Sequence, residues 1–137
     1  IGLSALDRDG LVLRPHQVGT ELHLEFSGSA DNEAHAVLPG YFKLLHAEVQ
    51  RSGTTMVVVD IHQLHFINSS CFKALVTWID LLNGMPPAQR YRIRFLKDPT
   101  LRWQTRCFDA LHRMSMAHVG VEDWQEAGHD AAHAARR

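Results

Sequence analysis

The sequence is short of the features that mark several large functional classes. Among 137 residues there are only two cysteines, Cys71 and Cys107. That is too few for a disulfide framework and suits a reducing compartment. No apolar run approaches the roughly 18 residues of a membrane span, and no secretory signal pattern stands at the front. Neither sign of charge dominates: 14 Lys+Arg face 15 Asp+Glu, a formal net charge of −1. General attraction to nucleic acid or to an anionic membrane is therefore not expected. Internal repeats and a second domain are also missing. These absences leave a cytoplasmic domain, and the start at Ile1 rather than Met reads as one cut from a slightly longer chain.

What is present is ordinary globular composition, 45% hydrophobic and 21% charged, in a chain long enough to bury a real core. Ten histidines, neutral in the charge count, make the domain distinctly cationic below about pH 6.5. Their scatter argues against one designed pH switch.

Apolar periodicity orders the chain. Leu11 to Arg14 reads as a short strand ended by Pro15, followed by a polar turn through His16 to Thr20. Leu22, Leu24 and Phe26 then alternate with Glu21, His23 and Glu25, a strand with one solvated face that pairs with the first as a hairpin. Gly28-Ser29-Ala30-Asp31 ends it, with Asp31 or Asn32 as N-cap of a helix beginning near Glu33 and interrupted at Pro39-Gly40. Leu38, Phe42, Leu45 and Val49 recur at helical spacing, and Gly53 supplies a stop.

The most informative stretch is Met56 to Leu82. Met56 to Val59 is a β-branched run of the kind found in central strands. A second short extended piece follows, then a polar turn at Asn68-Ser69-Ser70, then a helix. That helix is apolar round most of its girth, with Lys73, Thr77 and Asp80 as a narrow polar stripe. Beyond Asn83-Gly84 and Pro86-Pro87, Tyr91, Ile93 and Phe95 alternate inward against Arg90, Arg92 and Arg94 outward. Asp98-Pro99 predicts a helix start, Leu101, Phe108 and Leu111 line that helix, and His118 to Val121 adds a last short strand. The order implies a partly parallel sheet with helices packed on one face. Residues 1–124 form the single domain, and the polar tail 125–137 is expected to be flexible.

The central stretch resembles the STAS domains typified by anti-sigma factor antagonists. In that family a strand ending in Asp runs through a short hydrophobic piece to an Asp-Ser-Ser-Gly turn and a helix; here Asp60, Leu64, Phe66-Ile67 and Asn68-Ser69-Ser70-Cys71 match it. Gly28-Ser29-Ala30-Asp31 is similar to the family's segment between second strand and first helix. The resemblance spans roughly Leu11 to Met114. It implies a STAS-like α/β fold and a bacterial signalling protein of transcription regulation that works by protein–protein interaction, without catalysis or a cofactor. It also implies Ser70 as phosphoacceptor, with Asp31, Asn68, Ser69, Ser70 and Cys71 meeting the partner. That partner is a serine kinase or anti-sigma factor, or another STAS protein. Asn68 and Cys71 depart from the family's Asp and Gly.

Other readings of these residues stand beside this one. A serine at a helix start commonly does no more than cap it. Cys71 near the helix N-terminus, with His62 and His65 close in sequence, offers a redox sensor or a hydrolytic nucleophile, although no second Cys and no glycine-rich oxyanion segment accompany it. A structural STAS module with no phosphoswitch is a third. No metal site is expected: His62 and His65 fall on opposite faces of an extended segment, and His129 and His133 lack a third ligand. Arg90, Arg92 and Arg94 form a charged strand face, and Trp78 and Trp103 read as core.

Overall fold

Strands form where apolar residues alternate, but they run further than the alternation marks. The computed structural model describes residues 2–8, 10–31 and 33–125. In order come β1 (Leu6–Arg8), β2 (Leu11–Val18), β3 (Glu21–Ala30), α1 (Leu38–Ser52), β4 (Met56–Asp60), β5 (Leu64–Ile67), α2 (Ser69–Asn83), β6 (Arg92–Lys97), α3 (Arg102–Met114) and β7 (Val119–Asp123). Single 3-10 turns lie at Ala34–Ala36 and Pro87–Gln89. The described residues form a seven-stranded mixed sheet in the order β1-β2-β3-β4-β6-β7, with β5 also paired to β3. β1, β2 and β3 are antiparallel neighbours; β3, β4, β6 and β7 run parallel.

Pro15 does not end its strand. The hairpin closes on a two-residue loop, Val18 pairing with Glu21 and Gly19 taking φ 59°. Counting back from that closure puts Pro15, opposite Leu24, on a non-hydrogen-bonded pairing where no N–H to β3 is needed. Nor does Gly28 stop β3. The strand pairs with β4 over Glu21–Glu25 and, past a register shift at Gly28/Ser29, with β5 over Gly28–Ala30. Gly28 makes the handover possible: its φ is +92°, and a Cβ there would lie 1.9 Å from the Gly10 carbonyl oxygen.

The core lies on one side of the sheet. Leu22, Leu24 and Phe26 of β3, Val57 and Val59 of β4, and Ile93 and Phe95 of β6 bury against Phe42 and Leu45 of α1, Leu75, Trp78 and Ile79 of α2, and Phe108 and Leu111 of α3. Each such side chain contributes about 1.5–3 kcal/mol. The opposite face carries charge, with Arg14 paired to Glu25 at 2.6 Å and Arg94 to Glu122 at 3.0 Å. The α/β STAS-like arrangement, with helices on one face, is the one expected.

Several local expectations are corrected. Neither Asp31 nor Pro39-Gly40 acts as foreseen: a 3-10 turn precedes α1, whose first turn contains Pro39 as a compatible residue. Asn32, the other candidate cap, lies outside the described residues, as do His129, His133 and the tail from 126 on. Asp98-Pro99 does not start α3. Asp98 accepts bonds from Thr100 N and Oγ1 at 2.9 and 2.7 Å, a self-contained turn, and the helix begins at Arg102. Arg90 is not on the charged strand face. Its Nε and Nη2 donate to the Met85 and Asn83 carbonyls at 2.9 and 2.7 Å, closing the C-terminal end of α2.

Candidate functional site

Two adjacent parallel strands end together and deliver the site. Ala30 of β3 pairs with Ile67 of β5, and the Asn68 N–H donates to the Ala30 carbonyl at 2.9 Å. Asp31 and the turn Asn68–Ser70, 37 or more residues apart in the chain, therefore leave the sheet side by side. A small cleft lined by Arg8, Ser29, Asp31 and Glu33 adjoins the first of them.

The helix start is capped by Asn68. Its backbone is extended (φ −80°, ψ 169°), its Oδ1 accepts from Cys71 N at 2.8 Å, and its carbonyl accepts from Phe72 N at 2.9 Å. The reading in which a serine does the capping is thereby overturned. An asparagine oxygen serves this role as well as a carboxylate, so the departure from the family's Asp costs the helix little. Ser69 and Ser70 become the first two helical residues. Both are exposed, and neither hydroxyl hydrogen-bonds within the described residues. Phe66, 51% exposed on β5, adds an aromatic side chain to the same stretch.

Cys71 belongs elsewhere. Its side chain is fully buried in the core, and Sγ donates to the Asp31 carbonyl at 3.2 Å. It cannot touch a partner, so the partner-contacting set loses this member. Burial, and then the nearby charge of Asp31, push the thiol pKa up. A thiol so placed is short of the thiolate that redox sensing or nucleophilic attack requires. What it does is lock the exit of β3 to the first turn of α2.

Behind the turn the scaffold is pinned by a residue that periodicity overlooked. Gln104 of α3 is fully buried; its Nε2 donates to the Ile61 and Leu64 carbonyls at 2.7 and 2.8 Å, and its Oε1 accepts from Asp98 N at 2.8 Å. It thereby holds the break between β4 and β5. The signal was legible: Leu101, Gln104, Phe108 and Leu111 share one helical spacing. Deeper still, Trp78 Nε1 donates to the Tyr91 hydroxyl at 2.8 Å, which in turn meets His46 Nδ1 at 2.7 Å. Burial lowers the His46 pKa, which favours the neutral ring in this contact.

His62 and His65 do not converge: the first sits in the turn after β4 bonded to Asp60, the second is exposed on β5. No group of three or more His, Cys, Asp or Glu side chains able to hold a metal occurs among the described residues. None of the described helices is long and apolar enough to cross a membrane.

This architecture, a one-sided mixed sheet with a Ser-bearing turn between β5 and α2, is a STAS-like fold, that of the anti-sigma factor antagonists. Solved structures that share it include the following three. A chain from the complex of diguanylate cyclase SiaD with its activator SiaC from Pseudomonas aeruginosa aligns at TM-score 0.67 and 13% identity, over 88% of this chain and 99% of that one. An anti-sigma factor antagonist from Mycobacterium paratuberculosis aligns at 0.61 and 12%, over 93% and 95%. The anti-sigma factor antagonist SpoIIAA in its unphosphorylated form aligns at 0.55 and 14%, over 90% and 97%. No family model and no curated protein matches the chain.

Proposed function

We propose that this chain is a regulatory protein-interaction domain whose docking surface is formed by Asp31, Asn68, Ser69 and Ser70. In this reading Ser70 accepts a phosphate from a partner serine kinase of the anti-sigma type, which supplies the nucleotide and the chemistry. The observation that carries the proposal is the division of labour at the start of α2. Asn68 caps the helix, so the Ser70 hydroxyl is exposed and uncommitted. A dianion at that position meets the unsatisfied N–H groups of the first turn and the positive end of the helix dipole. It also adds about −1.5 to −2 charges to the docking surface at pH 7, repelling a partner fitted to the unmodified form. Structural neighbours that include SpoIIAA in unphosphorylated and phosphorylated forms lend the reading support.

The test is peptide mapping by mass spectrometry of the protein isolated from its own cells in growth and in stationary phase. A phosphorylated fraction on Ser70, absent from Ser70→Ala, is the expected result. An unmodified Ser70 in every phase contradicts the switch.

A further inference from the structure

Helix α1 carries two apolar stripes and buries one of them. Phe42, Leu45 and Val49 pack into the core. On the solvent side Val37, just ahead of the first turn, is followed by Gly40, Leu44 and Ala47, three and four residues apart. That is the spacing of a helix-pairing seam. Gly40, Leu44 and Ala47 are exposed, Leu44 by 64%. Leu6, Val37, Gly40, Tyr41, Lys43 and Leu44 line a shallow apolar groove here. The Tyr41 hydroxyl donates to the Ser4 carbonyl at 3.2 Å, which fixes one wall. Nothing within the chain accounts for Gly40. A glycine weakens a helix relative to alanine, its φ is not positive, and a Cβ there would enter open space. What its missing side chain does is keep the groove open.

We propose that this stripe is an interface with a second copy of the chain, the two α1 helices meeting antiparallel so that Leu44 of each sits over Gly40 of the partner subunit. The stripe is self-complementary: the protruding Leu44 and the side-chain-free Gly40 lie one helical turn apart on the same face. A two-fold axis between the copies makes both contacts at once. Charge selects the antiparallel arrangement. A parallel one sets Lys43 against Lys43 and Arg51 against Arg51 of the partner subunit. In the antiparallel register Lys43 falls beside Tyr41 of the partner subunit, within reach of a cation–π contact. Arg51, exposed although bonded to Glu48, runs toward Glu33 of the partner subunit, about 10 Å beyond the Leu44 contact. Glu33 is exposed and lines the cleft that continues the groove past Val37. Opposite charges therefore close both ends of the seam. Asn68, Ser69 and Ser70 do not line the groove, and the dimer does not depend on whether Ser70 is modified.

A seam of three helical turns is smaller than a standard interface, so the dimer is expected to be weak, with a Kd of about 10–100 µM. Sedimentation velocity of the full chain from about 2 to 400 µM reads it directly, wild type passing from monomer to dimer across that range. Leu44→Asp places a charge in the seam and is expected to stay monomeric throughout. Gly40→Leu fills the groove and is likewise expected to stay monomeric, while unfolding at no lower urea concentration than wild type. That second variant covers the case in which Leu44→Asp does not fold. A wild type that remains monomeric over the whole range, or a dimer that survives either substitution, overturns the proposal.

Discussion

The two ends of helix α2 are built on opposite rules. At its first turn, Ser69 and Ser70 stand in solvent with hydroxyls that bond to nothing among the described residues. Two turns further on, buried groups are paired: Trp78 donates to Tyr91, Tyr91 meets His46, and the indole stacks on Phe42 at 5.0 Å. The contrast teaches where this fold spends its order. Buried polar groups are expensive unless paired, and the cluster around Trp78 completes its pairs. The exposed first turn leaves its hydroxyls open above a base whose buried groups are paired.

Substitutions that break the interior end come first in size. Trp78→Ala removes the largest buried side chain and one of the two hydrogen bonds of the Tyr91 hydroxyl, for an expected loss of about 3–5 kcal/mol in denaturant unfolding. Gln104→Leu keeps volume but leaves the Ile61 and Leu64 carbonyls and the Asp98 N–H without their partner, for about 2–3 kcal/mol. Asn68→Ala acts at the open end itself; loss of the cap costs about 1 kcal/mol and frays the turn that presents Ser70.

A change of pH sharpens the comparison without touching the Asn68–Ser70 turn. His46 has its pKa lowered by burial, so the unfolded chain binds its proton more readily than the folded one. Its contribution is complete above the unfolded value of about 6.5 and is lost as pH falls below it toward the folded value. The urea midpoint should therefore decline from pH 7.5 to 5.5, and less steeply in His46→Gln. Glu48 answers in a separate, more acidic window. Bonds from Arg51 and from the Gly2 N–H hold its pKa at about 2, so its contribution is lost only as pH falls from the usual carboxylate range toward that value.

The sequence revealed the architecture more readily than the details of the site. Alternation at Leu22–Phe26 and Tyr91–Phe95, and the β-branched run at Val57–Val59, mark buried strand faces because the period of two leaves little freedom. Turn chemistry was harder to read. Asp98-Pro99 looks like a helix start, yet Thr100 satisfies Asp98 first. Pro15 looks like a strand end, yet its place in the register makes its missing N–H harmless. At the site, the composition of Asn68-Ser69-Ser70 shows that something caps α2, but not which residue. Only the extended backbone of Asn68 decides that. The position of Cys71 beside a helix start suggests reactivity, and its burial, visible only in three dimensions, removes it.

The central claim is that Ser70 is open for modification rather than part of the scaffold. It is tested most directly by immobilising wild type, Ser70→Ala and Ser70→Asp and measuring how strongly each retains the partner that wild type binds from a lysate of its own cells. Ser70→Ala should keep that partner and lose no more than about 0.5 kcal/mol of stability. Ser70→Asp should retain it about tenfold less strongly while remaining equally folded. Equal retention by Ser70→Asp and wild type contradicts the account.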